Sequence, residues 1–451
     1  MGITAAPIGD ATADTDADAG QAGTGRFITP GFKLGFALVT SLFFLWAIAN
    51  NFNDILIRHF QKALDLNRAE AGLIQFVFYL GYFLMALPAG MLMRRFGYRA
   101  GILCGLGLYA LGAVLFYPAA EIRAYGVFLA ALFVIASGAA FLETAANPYI
   151  VAFGDPARAS QRLNLAQSFN GFGGFVAPII GGMFIFSGVE HSAAELAAMS
   201  PAELTAYRVS EAQMVQMPYL TLAGIVICIG IAIALVRLPR ISHDRASAGT
   251  LSGLRSVLRE PALAGAVIAQ FFYVGAQVGV WSFFIDFVKE LSPATPERTA
   301  AFLLSLSLVL FMAGRFIGTA LMQRISATRL LLVFATIDIV LIAIAAFAPG
   351  IVAVGALTLT SFFMSIMFPT IFSLGVKDLG DRAMLGAPLI IMAIIGGALF
   401  PPLMGLASQA IGDVIQPTML LPGLCFAVIA FYARRTHRAE RRRHAAVPPL
   451  P

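Results

Sequence analysis

Two carboxyl groups lie in segments that are otherwise apolar enough for a membrane interior. Asp54 ends the polar part of FFLWAIANNFNDILIRHF, together with three asparagines, and Glu143 lies in FLETAANPYI. A polar group at mid-membrane needs a partner or water, and a central Asp costs about 2.5–3.5 kcal/mol on insertion scales. A membrane carboxyl that binds and releases a proton suits proton coupling. The alternatives are a surface pair of Asp54 with Arg58, one turn further along, and a purely structural role for Glu143.

Amide and aromatic side chains recur on single helix faces in three of the apolar segments. Amides offer hydrogen-bond donors and acceptors to neighbouring hydroxyl groups, and aromatic rings cover the apolar face of a pyranose. The pattern therefore predicts a cavity for a neutral sugar, whereas the alternative is that the amides only tie helices together. The three stripes are Asn164, Gln167 and Asn170; Gln270, Tyr273, Gln277 and Trp281; and Gln75, Tyr79 and Tyr82.

Two more charged residues lie inside apolar segments. Arg315, in FMAGRFIG, could bind substrate or balance a carboxylate, and it could equally clamp carbonyls of a neighbouring helix. Asp338 lies in the middle of the ninth apolar segment, which is peripheral in a twelve-helix bundle of two halves. We expect Asp338 to be a structural or protonated bystander, so that Asp338→Asn leaves transport nearly intact.

The composition is that of a polytopic membrane protein. Hydrophobic residues make up 59% of the 451 positions and charged residues 12%, against about a quarter in soluble domains. The three cysteines lie in apolar runs without metal-ligand spacing, which argues against disulfides and structural metal. No P-loop or Ser/His/Asp arrangement is present, so we expect neither an enzyme nor a cofactor.

Apolar stretches of about 20 residues, the length that spans a bilayer, predict an all-α protein with twelve transmembrane helices. Basic residues concentrate in the loops on the side of the two tails, which predicts that both termini are cytoplasmic. The net charge of +6 is then a topology signal and does not indicate nucleic-acid binding. The predicted spans are 33–58, 70–93, 100–119, 125–153, 163–187, 217–236, 262–288, 300–323, 329–347, 350–376, 384–410 and 414–433.

The chain divides into two similar halves. Residues 1–29 predict a disordered cytoplasmic tail, 30–236 and 261–433 two six-helix halves, 237–260 a cytoplasmic linker and 434–451 a basic cytoplasmic tail. Weak internal similarity supports this division, since Asn147-Pro148 in the fourth span corresponds to Phe368-Pro369 in the tenth. Two six-helix halves with a site between them at the midplane are the major facilitator architecture.

Six runs in order, WAIANNFNDILI, AGLIQFVFYLGYF, FLETAANP, RLNLAQSFNGFG, AQFFYVGAQVGVWS and PTIFSLGVKDLG, resemble the L-fucose/proton symporters. These form the bacterial fucose, galactose and glucose branch of the major facilitator superfamily, and the resemblance extends from about residue 33 to about 433. The chain departs from the general superfamily pattern at Arg94, where the loop after span 2 usually has an Asp. The resemblance implies that Asp54 and Glu143 are the acids of proton coupling and sugar recognition. It also implies cavity positions at Asn51, Gln75, Gln167 and Asn170.

We therefore expect a proton symporter that imports a neutral monosaccharide by alternating access, with L-fucose as the favoured substrate. We expect it to lie in the lipid bilayer of the bacterial inner membrane as a monomer. A permease for glucose, galactose or another hexose is the alternative. A proton-coupled drug exporter is less favoured because its cavity would be more apolar. The expected proton-coupling residues are Asp54 and Glu143, and the expected sugar-binding residues are Asn51, Gln75, Glu143, Gln167, Asn170, Tyr273, Gln277, Trp281 and Arg315.

Overall fold

The computed structural model describes residues 26–64, 68–184, 198–236 and 256–445, and the isolated positions 195 and 238. No β-strand occurs in these ranges. The first set of helices is α1 (Lys33–Leu64), α2 (Arg68–Phe96), α3 (Tyr98–Ile122), α4 (Tyr125–Ala152), α5 (Ala159–Phe184), α6 (Pro201–Gln213) and α7 (Gln216–Leu235). The second set is α8 (Pro261–Ser282), α9 (Phe284–Leu291), α10 (Glu297–Leu321), α11 (Ala327–Phe347), α12 (Gly350–Met364), α13 (Met367–Val376), α14 (Ala383–Met392), α15 (Gly396–Ala410) and α16 (Leu420–Ala445).

The predicted membrane spans are confirmed as helices. Ten helical stretches in the described residues are long and apolar enough to cross a membrane. The other two predicted spans lie in α1 and α5, which are helical over 33–58 and 163–184, while 185–187 lie outside the described residues. The side chains of residues 52–63 on α1 and of 181–184 on α5 lie outside the described part of the chain.

Three predicted spans of the second half are interrupted in the structure. The seventh span changes from α8 to α9 at Phe283, and the eleventh passes through a 3-10 turn, Ala393–Ile395, between α14 and α15. The tenth changes from α12 to α13 at residues 365–366. Proline lacks an N–H, so Pro369 cannot donate to the carbonyl of the residue four positions earlier, which is Ser365. The Ser365 carbonyl therefore has no donor at Pro369 of its own span.

Helix α6, before the sixth span, was not predicted from the sequence. It begins with a capping box, in which the Ser200 hydroxyl accepts a hydrogen bond from the Glu203 amide at 3.3 Å and Glu203 accepts one from the Ser200 amide at 2.9 Å. Such a box supplies partners for amides of the first helical turn. The signal Ser-Pro-Ala-Glu was thus present, but the segment is too polar for a search for membrane spans.

The helices pack as two halves. In the first half α1 packs against α5, and α3 packs against α4 and α7, while in the second half α16 packs against α8 and α11. Close approach requires small residues: a Cβ on Gly138 of α4 would lie 2.5 Å from the backbone nitrogen of Tyr109 on α3. The halves meet where α2 and α4 contact α14, and where α5 contacts α10 and α13.

One end of the bundle carries both ends of the described chain, and we call it the terminal face. There the Thr29 amide donates to the Phe153 carbonyl at 2.9 Å. The buried Arg162 donates to the carbonyls of Ile150, Asp155 and Phe27 at 3.2, 2.8 and 3.3 Å. Because Arg162 lies in the first turn of α5, these bonds fix where α5 begins relative to the end of α4.

Candidate functional site between the two halves

The site is a polar group of five residues at the contact of α4, α5 and α10, here called the central polar cluster: Glu143, Asn147, Gln167, Asn170 and Arg315. Glu143 lies on α4 with 5% of its surface exposed. One turn later, the side-chain amide of Asn147 donates a hydrogen bond to the backbone carbonyl of Glu143 at 2.9 Å. Gln167 of α5 then donates to the Asn147 side-chain oxygen at 3.2 Å. Two of the predicted residues, Glu143 and Gln167, are thus connected through Asn147, which was not predicted.

Asn170 lies one turn beyond Gln167 on the same face of α5. Its amide nitrogen donates to the Phe43 carbonyl of α1 at 3.2 Å. Its oxygen accepts a hydrogen bond from Arg315 at 3.2 Å, and the side chain is still partly exposed. The predicted polar face of α5 is therefore real, and its amides do tie helices together. That contact network leaves part of Asn170 accessible to a ligand.

Arg315 joins the two halves of the molecule. From α10 it donates to the Gln167 carbonyl at 2.6 Å and, on the other side, to the Ser365 carbonyl at 3.0 Å. The second acceptor is the carbonyl that Pro369 leaves free. The guanidinium also lies 4.5 Å from the ring centre of Phe311 and acts electrostatically on Glu143. Of the predicted alternatives for Arg315, the clamp on backbone carbonyls is seen, whereas substrate binding and the balance of a carboxylate stay predictions.

The stripe on the seventh span is divided between two environments. Gln270 and Tyr273 are fully buried within the second half, whereas Gln277 and Trp281 are partly exposed. The Trp281 N–H donates to the Ser361 hydroxyl at 3.0 Å. In this conformation Tyr273 has no surface open to a ligand, although it lies close enough to Arg315 to interact electrostatically.

The positions on α1 and α2 border the first half of the site. The Tyr82 hydroxyl is 3.5 Å from the side-chain oxygen of Asn50. Asn51 is partly exposed and donates to the Ala47 carbonyl at 2.7 Å. Gln75 and Tyr79 are also partly exposed on α2.

The structure describes the side chain of Asp338 but not that of Asp54. Asp54 belongs to α1, but its side chain, like that of its alternative partner Arg58, lies outside the described residues. Asp338, on α11, is fully buried.

Between the central polar cluster and the terminal face the two halves are in direct contact. The Asn164 amide donates to the Thr370 hydroxyl of α13 at 3.2 Å, and the hydroxyls of Ser160 and Ser373 are 2.6 Å apart. These partners were missed because residues more than 200 positions apart give no local sequence signal.

Similarity to known proteins agrees with this geometry. The Major Facilitator Superfamily sequence pattern matches residues 34–387. The L-fucose-proton symporter of Escherichia coli is 47% identical over 93% of this chain and 95% of its own length. A glucose/galactose transporter of Brucella abortus is 39% identical over 88% of this chain and 93% of its own length. The crystal structure of a Major Facilitator Superfamily transporter, FucP, in the outward conformation, is 46% identical, with a TM-score of 0.84 over 90% of this chain and 99% of that one. The chain belongs to the major facilitator superfamily, in the branch that contains the L-fucose-proton symporters.

Proposed function

We propose that the protein imports L-fucose together with protons by alternating access. The observation that carries this proposal is the central polar cluster, in which amides from both α4 and α5 meet an arginine from the other half. A ligand bound there contacts both halves, as alternating access around a fixed midplane site requires.

The charges of the cluster suit a neutral substrate. Its acid, Glu143, and its base, Arg315, interact with each other, so neither has to be balanced by a charge on the ligand. Asn170 supplies hydrogen-bonding groups, and Trp281 supplies a partly exposed aromatic surface for the apolar face of a sugar ring. The greater similarity to the Escherichia coli L-fucose-proton symporter than to the Brucella abortus glucose/galactose transporter supports L-fucose as the substrate, with glucose, galactose or another hexose as the alternative.

Two acids divide the work of proton coupling. α1 starts near the terminal face, and Asp54 lies 21 positions after Lys33, roughly 30 Å along the helix at about 1.5 Å per residue. Asp54 therefore loads the proton from the opposite, outer side. Glu143, buried in the central polar cluster, bonds the sugar and couples its release to the inward-open state.

The terminal face is the cytoplasmic side of the inner membrane. It carries the exposed Arg95, Arg158 and Arg324, and basic residues concentrate in cytoplasmic loops. Because one chain supplies both halves of the site, the transporter works as a monomer.

The test compares sugar counterflow with proton-driven accumulation for two variants in the same proteoliposomes. Asp54→Asn resembles the protonated acid, so it keeps L-fucose counterflow and loses accumulation against a gradient. Glu143→Gln impairs counterflow as well, because it alters a group inside the cluster. Accumulation by Asp54→Asn at the wild-type level would show that Asp54 is not the obligatory proton carrier.

The same vesicles test the coupling ion and the sugar. Adding L-fucose to de-energised vesicles should make the external medium more alkaline, whereas sodium-dependent uptake without a pH change would contradict proton symport. Counterflow with labelled L-fucose, D-galactose and D-glucose identifies the substrate. Preference for D-glucose or D-galactose would replace L-fucose while leaving proton symport in place.

A further inference from the structure

Three polar side chains are enclosed in the second half, away from the cluster that contacts both halves. Gln270, Tyr273 and Asp338 each have 0% of their surface exposed. In the described part of the chain, their polar side-chain atoms have no hydrogen-bond partner of normal geometry. These atoms are the amide nitrogen and oxygen of Gln270, the hydroxyl of Tyr273 and the two carboxyl oxygens of Asp338. We call these three residues the enclosed cluster.

The members of the enclosed cluster come from two helices. Gln270 and Tyr273 lie one turn apart on the same face of α8. The Tyr273 hydroxyl lies within hydrogen-bonding reach of Arg315 of α10, although without normal geometry, and it interacts electrostatically with Asp338 of α11. The enclosed cluster therefore lies on the second-half side of Arg315, while the opposite side of the guanidinium faces α5.

Leaving these atoms unpaired would be costly. A buried amide or hydroxyl without a partner costs about 1–3 kcal/mol, and a charged carboxylate costs more. A molecule or ion bound here must accept a hydrogen bond from the Gln270 nitrogen and must also donate hydrogen bonds to the Gln270 and Asp338 oxygens. A metal cation fails this requirement, since it cannot accept a hydrogen bond from an amide N–H. Water meets it, since each molecule both donates and accepts and buried waters serve such groups in many proteins.

We propose that Gln270, Tyr273 and Asp338 bind ordered water inside the second half, and that this water completes the hydrogen bonding behind Arg315. Asp338 then hydrogen-bonds this water, which gives the residue a role despite its position on a peripheral helix. An asparagine at this position keeps groups that bond water, so it preserves the site. A leucine removes those groups and fills part of their space.

X-ray radiolytic footprinting of the purified full-length protein tests the site, since a tyrosine beside bound water is hydroxylated faster than a dry one. Tyr109 is the matched control, because it is equally buried at 0% exposure and its hydroxyl donates to the Leu45 carbonyl at 3.1 Å. We expect Tyr273 to be labelled severalfold faster than Tyr109. Labelling of Tyr273 at or below the rate of Tyr109 would overturn the proposal.

Two variants separate water binding from general loosening of the fold. Asp338→Asn should keep the fast labelling of Tyr273, whereas Asp338→Leu should lower it to the rate of Tyr109. Fast labelling in folded Asp338→Leu protein would count against the site. If that variant does not fold, Gln270→Leu takes its place with the same expectation, and the comparison of Tyr273 with Tyr109 in the unaltered protein decides independently.

Discussion

At the scale of single residues, the Asn170 amide of α5 both holds helices together and remains partly exposed to a sugar. An asparagine side chain has two donor hydrogens and an oxygen with two acceptor positions. Asn170 uses one donor toward Phe43 and one acceptor position toward Arg315, which leaves one of each. The two sequence interpretations of the stripe, helix ties and sugar ligands, are therefore compatible on one side chain.

Replacing Gln167 or Asn170 by alanine should weaken sugar binding. Either change leaves hydroxyls of the sugar or the protein partners unpaired, at about 1–3 kcal/mol, which is roughly a tenfold to hundredfold loss of affinity. Equilibrium binding of labelled L-fucose to the purified protein measures this loss of affinity. Ser168→Ala is the control, since the buried Ser168 hydroxyl donates to the Asn164 carbonyl of its own helix at 2.9 Å. Unchanged affinity in both amide variants would leave those residues a structural role alone.

Sugar binding should change the fluorescence of one of the two tryptophans. Trp46 is buried at 1% exposure against Phe43, whereas Trp281 is partly exposed and packs edge-on against Phe311 with ring centres 5.0 Å apart. A sugar that covers Trp281 replaces water at its ring, so adding L-fucose should alter the emission of the wild type and of Trp46→Phe. The response should disappear in Trp281→Phe. A response that persists in Trp281→Phe and disappears in Trp46→Phe would place the sugar elsewhere.

At this scale the sequence predicted which residues share a helix face better than it predicted which residues they contact. The three-residue spacing of Asn164, Gln167 and Asn170 indicated a shared face, and the structure confirms it. The spacing did not predict that Arg315 contacts that face, because the contact joins residues 148 positions apart. Nor did it separate the buried Tyr273 from the accessible Trp281, since both follow the same helical period.

At the scale of helices, apolar length predicted the spans but not their interruptions. A span is recognised by its summed hydropathy, and this sum does not change when one backbone hydrogen bond is lost. The tenth span shows the difference. Its break follows from Pro369, which was visible in the sequence, but the partner of the free Ser365 carbonyl became known only from the position of Arg315.

Replacing Pro369 by alanine should separate stability from transport. The new amide N–H can donate to the Ser365 carbonyl and so compete with Arg315, which should release the guanidinium from the second half. We expect an unchanged or higher thermal unfolding temperature, because alanine supplies the backbone donor that proline lacks, and slower L-fucose counterflow. Pro118→Ala in α3, outside the contact between the halves, is the control and should leave counterflow unchanged. Wild-type counterflow in Pro369→Ala would show that the bond from Arg315 to Ser365 is dispensable.

At the scale of the whole molecule, the position of the contacts between halves defines the conformation. Described contacts join the halves between the central polar cluster and the terminal face, through Asn164 with Thr370 and Ser160 with Ser373. The similar FucP structure is in the outward conformation. Under our proposal that the terminal face is the cytoplasmic side, these hydrogen bonds close the inner end and break when the transporter opens inward.

Removing these bonds should therefore shift the conformational equilibrium. Each bond contributes about 0.5–1.5 kcal/mol, so Asn164→Ala combined with Ser160→Ala should raise the inward-open fraction by roughly tenfold. Spin labels at positions 158 and 382, both exposed on the terminal face in different halves, report the opening as a population at longer distance in pulsed electron–electron double resonance. Thr336→Ala is the control, because the exposed Thr336 hydroxyl donates to the Leu332 carbonyl of its own helix. Since the substituted side chains lie outside the cluster that binds sugar, L-fucose should still bind to the outward-open fraction. An unchanged distance distribution in the double variant would mean that helix packing, such as that of α2 against α14, keeps the inner end closed without these hydrogen bonds.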